Sequence, residues 1–469
     1  WDWVDQTFAR KTTDGKQYWA YGGDLEPPEV GHSDSFCANG LVFADRSVYP
    51  YLWEVKKVQQ NIGFQILLGN EAGVQVHNKH FFRSLSAYHL EWQLIEDGKS
   101  VKQGSAGKLA AQAGQRETIK LDLAYPFQAE REYFLNVRVH LNQDEGLLKK
   151  GHVVAQEQLL VQSPEPIQTS VVAGRLKVSN DKSHLRIKSS AFELSFDKDS
   201  GFIESLSYSG LAVLKAQPRP EFWRAPVDND FDVASYKKSL DEWEFVGRDT
   251  ELTHFDVRSI SKSEFLVETE HFLKKIQSRY KTRYRIFANG EVDVDIWFYA
   301  APHQKHGSLP RLGTLFQLPP QLDTVSWYGR GPHENYVDRK DSAFVGRYSR
   351  SVDELFTPYV RPQENGYRSD VRHVSFAQAD GRGVSFVGKQ LMGFGASFYD
   401  VDQFDSSQLE VKKTNKHPHD LKKSDRIFVN VDLSQRGVGG TDSWGSPPLF
   451  KYTLPWLDYR YGFVIRPVR

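Results

Sequence analysis

Trp1-Asp2-Trp3-Val4-Asp5 opens the chain, and Asp34-Ser35-Phe36-Cys37-Ala38-Asn39-Gly40 follows shortly after. A short aromatic and β-branched run ended by polar residues, with Asp14-Gly15 and Gly22-Gly23-Asp24 beyond it, reads as one buried strand emptying into turns. Residues 1–47 hold too little apolar sequence to bury a core alone. They must lie against something else, in the manner of the mouth of a site.

Working outward, a run containing Trp53-Glu54-Val55-Lys56-Lys57-Val58 leads from Tyr49-Pro50 into alternating strands. Leu90, Trp92 and Leu94 face one way and Glu91 and Gln93 the other, while Tyr133, Leu135, Val137 and Val139 repeat the pattern. Glu96-Asp97-Gly98-Lys99 is a hairpin turn between two such strands. Short strands at close spacing predict an immunoglobulin-like sandwich over 48–162. Ser163-Pro164-Glu165-Pro166 marks a linker over 163–167, because two prolines fix φ and remove ladder donors. Past it, Phe192, Leu194 and Phe196, then Val292, Val294, Ile296 and Phe298, keep period two and predict mostly antiparallel sheet over 168–469. No long amphipathic helix is expected anywhere.

At 469 residues the chain exceeds one ordinary core and predicts roughly two to four units. Lysine plus arginine equals aspartate plus glutamate at 60 each, which leaves no basic surplus for a nucleic acid. No apolar run approaches the roughly 18 residues of a membrane span, and no leader pattern opens the sequence. Cys37 is the only cysteine, which excludes an intramolecular disulfide and a cysteine-rich metal cluster. Aromatic residues reach 13% with 11 tryptophans, which suits sugar C–H faces as well as large β cores. Met392 is the only methionine, so the sequence is expected not to begin at a native start codon and to be a processed, engineered or partial chain.

The blocks Trp1–Gln6, Tyr21–Asp24 and Phe36–Arg46, then Arg224-Ala-Pro-Val-Asp-Asn-Asp230, Trp327–Tyr336, Thr357–Gly366 and Gly437-Val-Gly-Gly-Thr-Asp-Ser-Trp444, resemble the C-terminal half of glycoside hydrolase family two β-galactosidases. The resemblance implies a mainly β chain: the tail of a (β/α)8 barrel, an Ig-like sandwich and a large galactose-mutarotase-like antiparallel sandwich. It implies hydrolysis of terminal β-D-galactosides such as lactose, with retention. That chemistry needs two carboxyl groups about 5–5.5 Å apart. In the family both are glutamates ahead of WDWVD, so no catalytic residue is expected in this chain, which alone should be inactive.

By the same resemblance Trp1 is the galactosyl platform, Trp444 stacks on the leaving group, and Phe36 (backbone carbonyl) with Asn39 (amide oxygen) forms part of a Na+ site, Asn39 also touching substrate. The Mg2+ ligands lie upstream. Asp34, Asp232 and Ala234 stand where the family has an arginine, a glycine and a serine around a mobile loop, which predicts a more fixed loop here. The implied partners are a substrate, an N-terminal half carrying the barrel and further copies of the chain, in the cytoplasm or alternatively the periplasm.

Two other readings start from the residues. Glu334 and Glu364 sit in matching Pro-x-Glu-Asn contexts, and with His333 or His373 they could serve as acid and base of an aldose epimerase; the plainer reading makes them structural carboxylates bonding turn amides and arginines. A non-catalytic carbohydrate-binding or complementing subunit is the other. Lys416-His417-Pro418-His419 reads as an exposed basic loop, with metal binding by its histidines as a lesser idea.

Overall fold

Period-two burial organises most of the chain in the computed structural model, which describes residues 2–27, 29–31, 37–69, 72–165, 173–230, 242–304, 306–404, 415–442 and 445–468. Two compact units form. One contains Tyr51–Ser170 with Phe344–Arg347; the other contains Trp1–Pro50, Val171–Ala343 and Tyr348–Arg469.

The first unit is a sandwich of a three-stranded sheet (Ile62–Leu67, Gly73–Asn78, Arg116–Lys120) and a four-stranded one ordered Lys99–Lys108, Tyr88–Glu96, Tyr133–Leu141, Val153–Gln162. Leu90, Trp92, Leu94, Leu135, Val137 and Val139 fill its core, as the alternation predicts. The expected hairpin closes with Glu96 paired to Lys99, and Asp97 and Gly98 both take positive φ, at 45° and 80°. Those values require the Asp-Gly pair. Pro50–Val58, to which strand periodicity assigns nothing, is a helix. Pro50 pre-sets the first turn, and Lys57 Nζ near the other end donates to Gln156 O and Glu157 Oε2, both at 2.7 Å.

In the second unit a five-stranded sheet (from Lys177–Asn180 to Leu211–Ala212) and a curled twelve-stranded antiparallel sheet share one core, which runs from Leu185 and Phe196 through Trp243 and Phe298 to Ile465. Pro218 and Pro220 lie on Ala216–Glu221, at one edge of the larger sheet, where a missing N–H breaks no interior ladder.

Of the buried strand expected at Trp1–Asp5, the described residues 2–5 form no ladder. Val4 makes a single parallel bridge to Val42, and Trp3 is 64% exposed. The segment's backbone bonds go instead to two points, with Val42 N–H donating to Trp3 O, Asp5 N–H to Val42 O and Gln6 N–H to Cys37 O. Phe8–Lys11 and Gln17–Ala20 instead form a hairpin around Asp14-Gly15, with Gly15 at φ 87°.

Phe298 is fully buried, with Phe222 and Trp456 rings at 5.5 and 5.6 Å. Phe298→Ala should lower unfolding free energy by about 3–5 kcal/mol, read from urea denaturation.

Candidate functional site

Residues 1–50 are pinned by buried polar contacts rather than by a core of their own. Asp5 is buried; its Oδ1 accepts the Gly40 N–H at 2.7 Å and its Oδ2 accepts the Tyr49 hydroxyl at 2.5 Å. Burial raises the Asp5 pKa, while the Tyr49 and Gly40 donors pull it down. Gly40 is required by close approach: a Cβ there would lie 2.4 Å from Asp5 N and 2.5 Å from the Val4 carbonyl carbon. Cys37 O accepts the Gln6 N–H at 2.9 Å. Asn39, between these two anchors, is exposed, and its side chain makes no hydrogen bond among the described residues.

The anchoring continues through aromatic rings. Tyr49 stacks on Phe43 at 3.7 Å and on Tyr359 at 5.5 Å. The Tyr359 hydroxyl donates to Glu334, which also accepts Arg339 Nη2 (2.6 Å), the Thr357 hydroxyl (2.9 Å) and the Gly366 N–H (2.7 Å). The two Pro-x-Glu-Asn motifs therefore meet at this one carboxylate. Their asparagines repeat one geometry: Asn335 Nδ2 donates to His333 O at 3.1 Å, and Asn365 Nδ2 to Gln363 O at 2.9 Å. A second anchor joins Asp24 to His417, whose Nε2 lies 2.8 Å from Asp24 Oδ2, while the Tyr21 hydroxyl donates to Lys416 O at 2.9 Å. The expected exposed loop at 416–419 is thus corrected. His417 is buried, because the barrel-tail carboxylate and the rings of Tyr18 and Tyr21, each 4.8 Å away, cover it.

The described parts of the glycine-rich stretch, 437–442 and 445–446, are each held by a side chain. Asp338 accepts the Val438 N–H at 3.2 Å and the Gly439 N–H at 2.8 Å. Asn229 donates to Ser446 O at 2.7 Å and accepts the Gly445 N–H at 3.0 Å. A Cβ on Gly437 would lie 2.5 Å from Asp338 Oδ2, and one on Gly440 2.4 Å from Asn229 Nδ2. Asp230, in the same motif as Asn229, pairs with Arg224 Nη1 (2.9 Å) and Arg436 Nη2 (3.2 Å). Nearby, buried Arg311 contacts Asp432 Oδ2 through Nε at 3.0 Å and Glu364 Oε1 through Nη2 at 3.5 Å, and Gln435 Nε2 donates to Glu364 Oε1 at 2.9 Å.

Of the residues expected at the site, Asn39 is placed as above; Trp1, Phe36 and Trp444 lie outside the described residues, as do Asp34, Asp232 and Ala234 with the loop expectation they carry. Glu334 and Glu364 are both buried and engaged with the donors just named, which is the structural role and not that of an open acid and base. Burial and the neighbouring Arg368 and Arg339 lower the His333 pKa to about 4, so its imidazole is neutral near pH 7. Among the described residues no three His, Cys, Asp or Glu side chains form a metal-ligand group. Asp5, Asp338 and Asn229 escape a sequence reading, although the Gly40, Gly437 and Gly440 they crowd are visible in it.

Comparison with known proteins fits this arrangement. Residues 188–465 match the family described as Beta galactosidase small chain. The chain belongs to that family. Residues 74–162 match Beta-galactosidase, domain 4, and residues 1–64 match the Glycosyl hydrolases family 2, TIM barrel domain, so the β-galactosidase small-chain region here follows a barrel tail and an Ig-like domain. The Beta-galactosidase of Vibrio cholerae serotype O1 is 33% identical over 99% of this chain, and that of Priestia megaterium 31% over 100%. The chain spans 44% of the length of each. Among solved structures, galactose 1-epimerase from Lactobacillus acidophilus NCFM aligns with 63% of this chain and 99% of its own at TM-score 0.35 and 8% identity.

Burial raises the Asp432 pKa from 3.8 to about 7, with Arg311 opposing the rise and Glu364 adding to it. The folded protein then holds a proton that the unfolded chain has already released, so the stability tied to this group is fully present below about pH 4 and falls as pH climbs to 7. Asp432→Asn should flatten that decline in unfolding free energy, measured by denaturant titration across the same interval.

Proposed function

We propose that this chain is the C-terminal part of a β-galactosidase that releases terminal non-reducing β-D-galactose, lactose-type substrates included, with retention of configuration. The observation that supports it is the ordered match of barrel tail, domain 4 and small chain, alongside β-galactosidases aligned over essentially the full chain. The acid and the nucleophile come from the barrel portion that precedes this sequence in the whole enzyme. Residues 1–47 supply the end of that barrel, 48–162 the Ig-like domain, 163–167 the linker, and 168–469 the terminal sandwich.

In this reading Trp1 packs against the apolar face of the galactosyl ring. Trp444, carried on the 437–446 stretch, forms the wall beside the leaving group. Asn39 offers its exposed amide oxygen, and Phe36 its carbonyl, to a sodium ion; hard cations take such neutral oxygens. Bound sodium would supply a fixed positive charge beside a substrate hydroxyl. Asn39 orients that hydroxyl, and the Asp5–Gly40 bond fixes where Asn39 stands. Magnesium belongs to the upstream portion. The enzyme assembles from several copies in the cytoplasm, the periplasm being the alternative; no helix among the described residues is long and apolar enough to cross a membrane. The family's description as a small chain favours, as a second reading, a subunit that complements a separately made catalytic chain.

Release of fluorophore from a β-D-galactoside should occur only when this chain is mixed with a barrel-bearing N-terminal half. Turnover by the chain alone would overturn the assignment. In the mixture, Asn39→Ala should raise the sodium concentration for half-maximal activity about ten-fold, a loss of about 1.4 kcal/mol in ion binding.

A further inference from the structure

The four-stranded sheet of the Ig-like unit buries one face, and the other carries an unusual run of carboxamides. Glu91, Gln93, Gln103, Ser105, Asn136 and Arg138 line a shallow, open groove on that outer side. Gly104 pairs with Trp92, and a Cβ there would lie 2.9 Å from three indole atoms. The indole is buried on the core face, and the bare glycine makes room for it there, beneath the floor of the groove.

Arg138 is the decisive residue. Its partner across the ladder is Glu91, yet Glu91 turns its two oxygens to His89 Nε2 and His140 Nε2, each at 3.4 Å. Those imidazoles are fixed from behind: His89 Nδ1 lies 2.8 Å from Asn142 Oδ1 and His140 Nδ1 lies 3.0 Å from Gly151 O. Among the described residues the guanidinium of Arg138 has no carboxylate within ion-pair reach. Its one side-chain bond, Nη1 to Gln93 Oε1, is long at 3.3 Å, and Gln93 reaches Gln103 only at 3.4 Å. Asn136 Oδ1 is taken by Gln158 Nε2 at 2.9 Å, but the groove still holds a charged fork and two amides, Gln93 and Gln103, whose hydrogen-bonding capacity is largely unspent.

We propose that this groove binds a neutral mono- or oligosaccharide. A sugar hydroxyl both donates and accepts, and carboxamides answer both roles; a planar guanidinium spans two adjacent hydroxyl oxygens. An unpaired arginine would by itself also draw an anion, but the Glu91 carboxylate in the same lining disfavours one. The geometry sits on paired strands rather than loops, so the donors are placed before the ligand arrives.

Titrating the full chain with galactose, lactose and a galacto-oligosaccharide by calorimetry or amide NMR tests the site. Saturable binding at about millimolar concentration is expected, weakened about ten-fold by Arg138→Ala and several-fold by Gln103→Ala. Gln103 is exposed on an edge strand, so its variant decides the matter if the arginine variant fails to fold. Absence of saturable binding, binding equal in both variants and the parent, or tighter binding of glucuronate or inorganic phosphate than of the neutral sugars would each overturn the proposal.

Discussion

Glu334 is the constraint on which the second unit's functional end depends. A carboxylate removed from water is tolerated only when donors surround it, and Glu334 collects a guanidinium, two hydroxyls and a backbone amide from residues 339, 357, 359 and 366. Satisfying one buried charge therefore fixes the relative placement of the segments that carry both Pro-x-Glu-Asn motifs. Tyr359 extends the constraint, since its ring stacks on Tyr49 and Tyr49 holds Asp5. The chain's first residues are tied by this route to a carboxylate more than three hundred positions later in sequence.

The same logic recurs at 224–230 and 437–446. Asp230 sits between two buried arginines, which fixes Asn229 one residue earlier, and Asn229 grips Gly445 and Ser446. Glycine is needed where Asp338 and Asn229 come within contact of the main chain, because any side chain there would occupy their oxygen or nitrogen. Charge burial and glycine spacing are two halves of one device: the charges locate the clamps, and the glycines let the backbone reach them.

Much of this was legible in the sequence, for reasons that differ by element. Period-two burial at Leu90–Leu94 and Val292–Phe298 follows directly from strand geometry, and Asp97-Gly98 from the positive φ that its turn demands. The structural role of Glu334 was visible as a glutamate between turn residues with arginines nearby. The tail strand at Trp1–Asp5 misled because an aromatic, β-branched run states a preference for pairing without stating whether a partner exists. His417 misled in the opposite way: its lysine- and proline-rich surroundings describe a solvated loop, and Asp24 with the rings of Tyr18 and Tyr21, nearly four hundred residues away, makes it buried. Long-range carboxylate pairings of this kind leave no local trace. Glycines do leave one: Gly437 and Gly440 each marked a place where a distant polar side chain proved to be pressed against the backbone, and Gly40 one where the Val4–Asp5 backbone does the same.

Residues 2–50 bury few apolar side chains, and two of these, Tyr21 and Tyr49, reach for partners in the terminal sandwich. The barrel tail therefore takes its shape from outside itself. Its conformation is imposed by Glu334 through Tyr359 and by His417 through Asp24. The sandwich is then what orders the described part of this segment, through buried polar contacts. Groups that contact a sugar must be held to within a fraction of an ångström, and a segment with almost no core cannot hold itself so closely. The sandwich supplies the rigidity, and buried charge is how it transmits it.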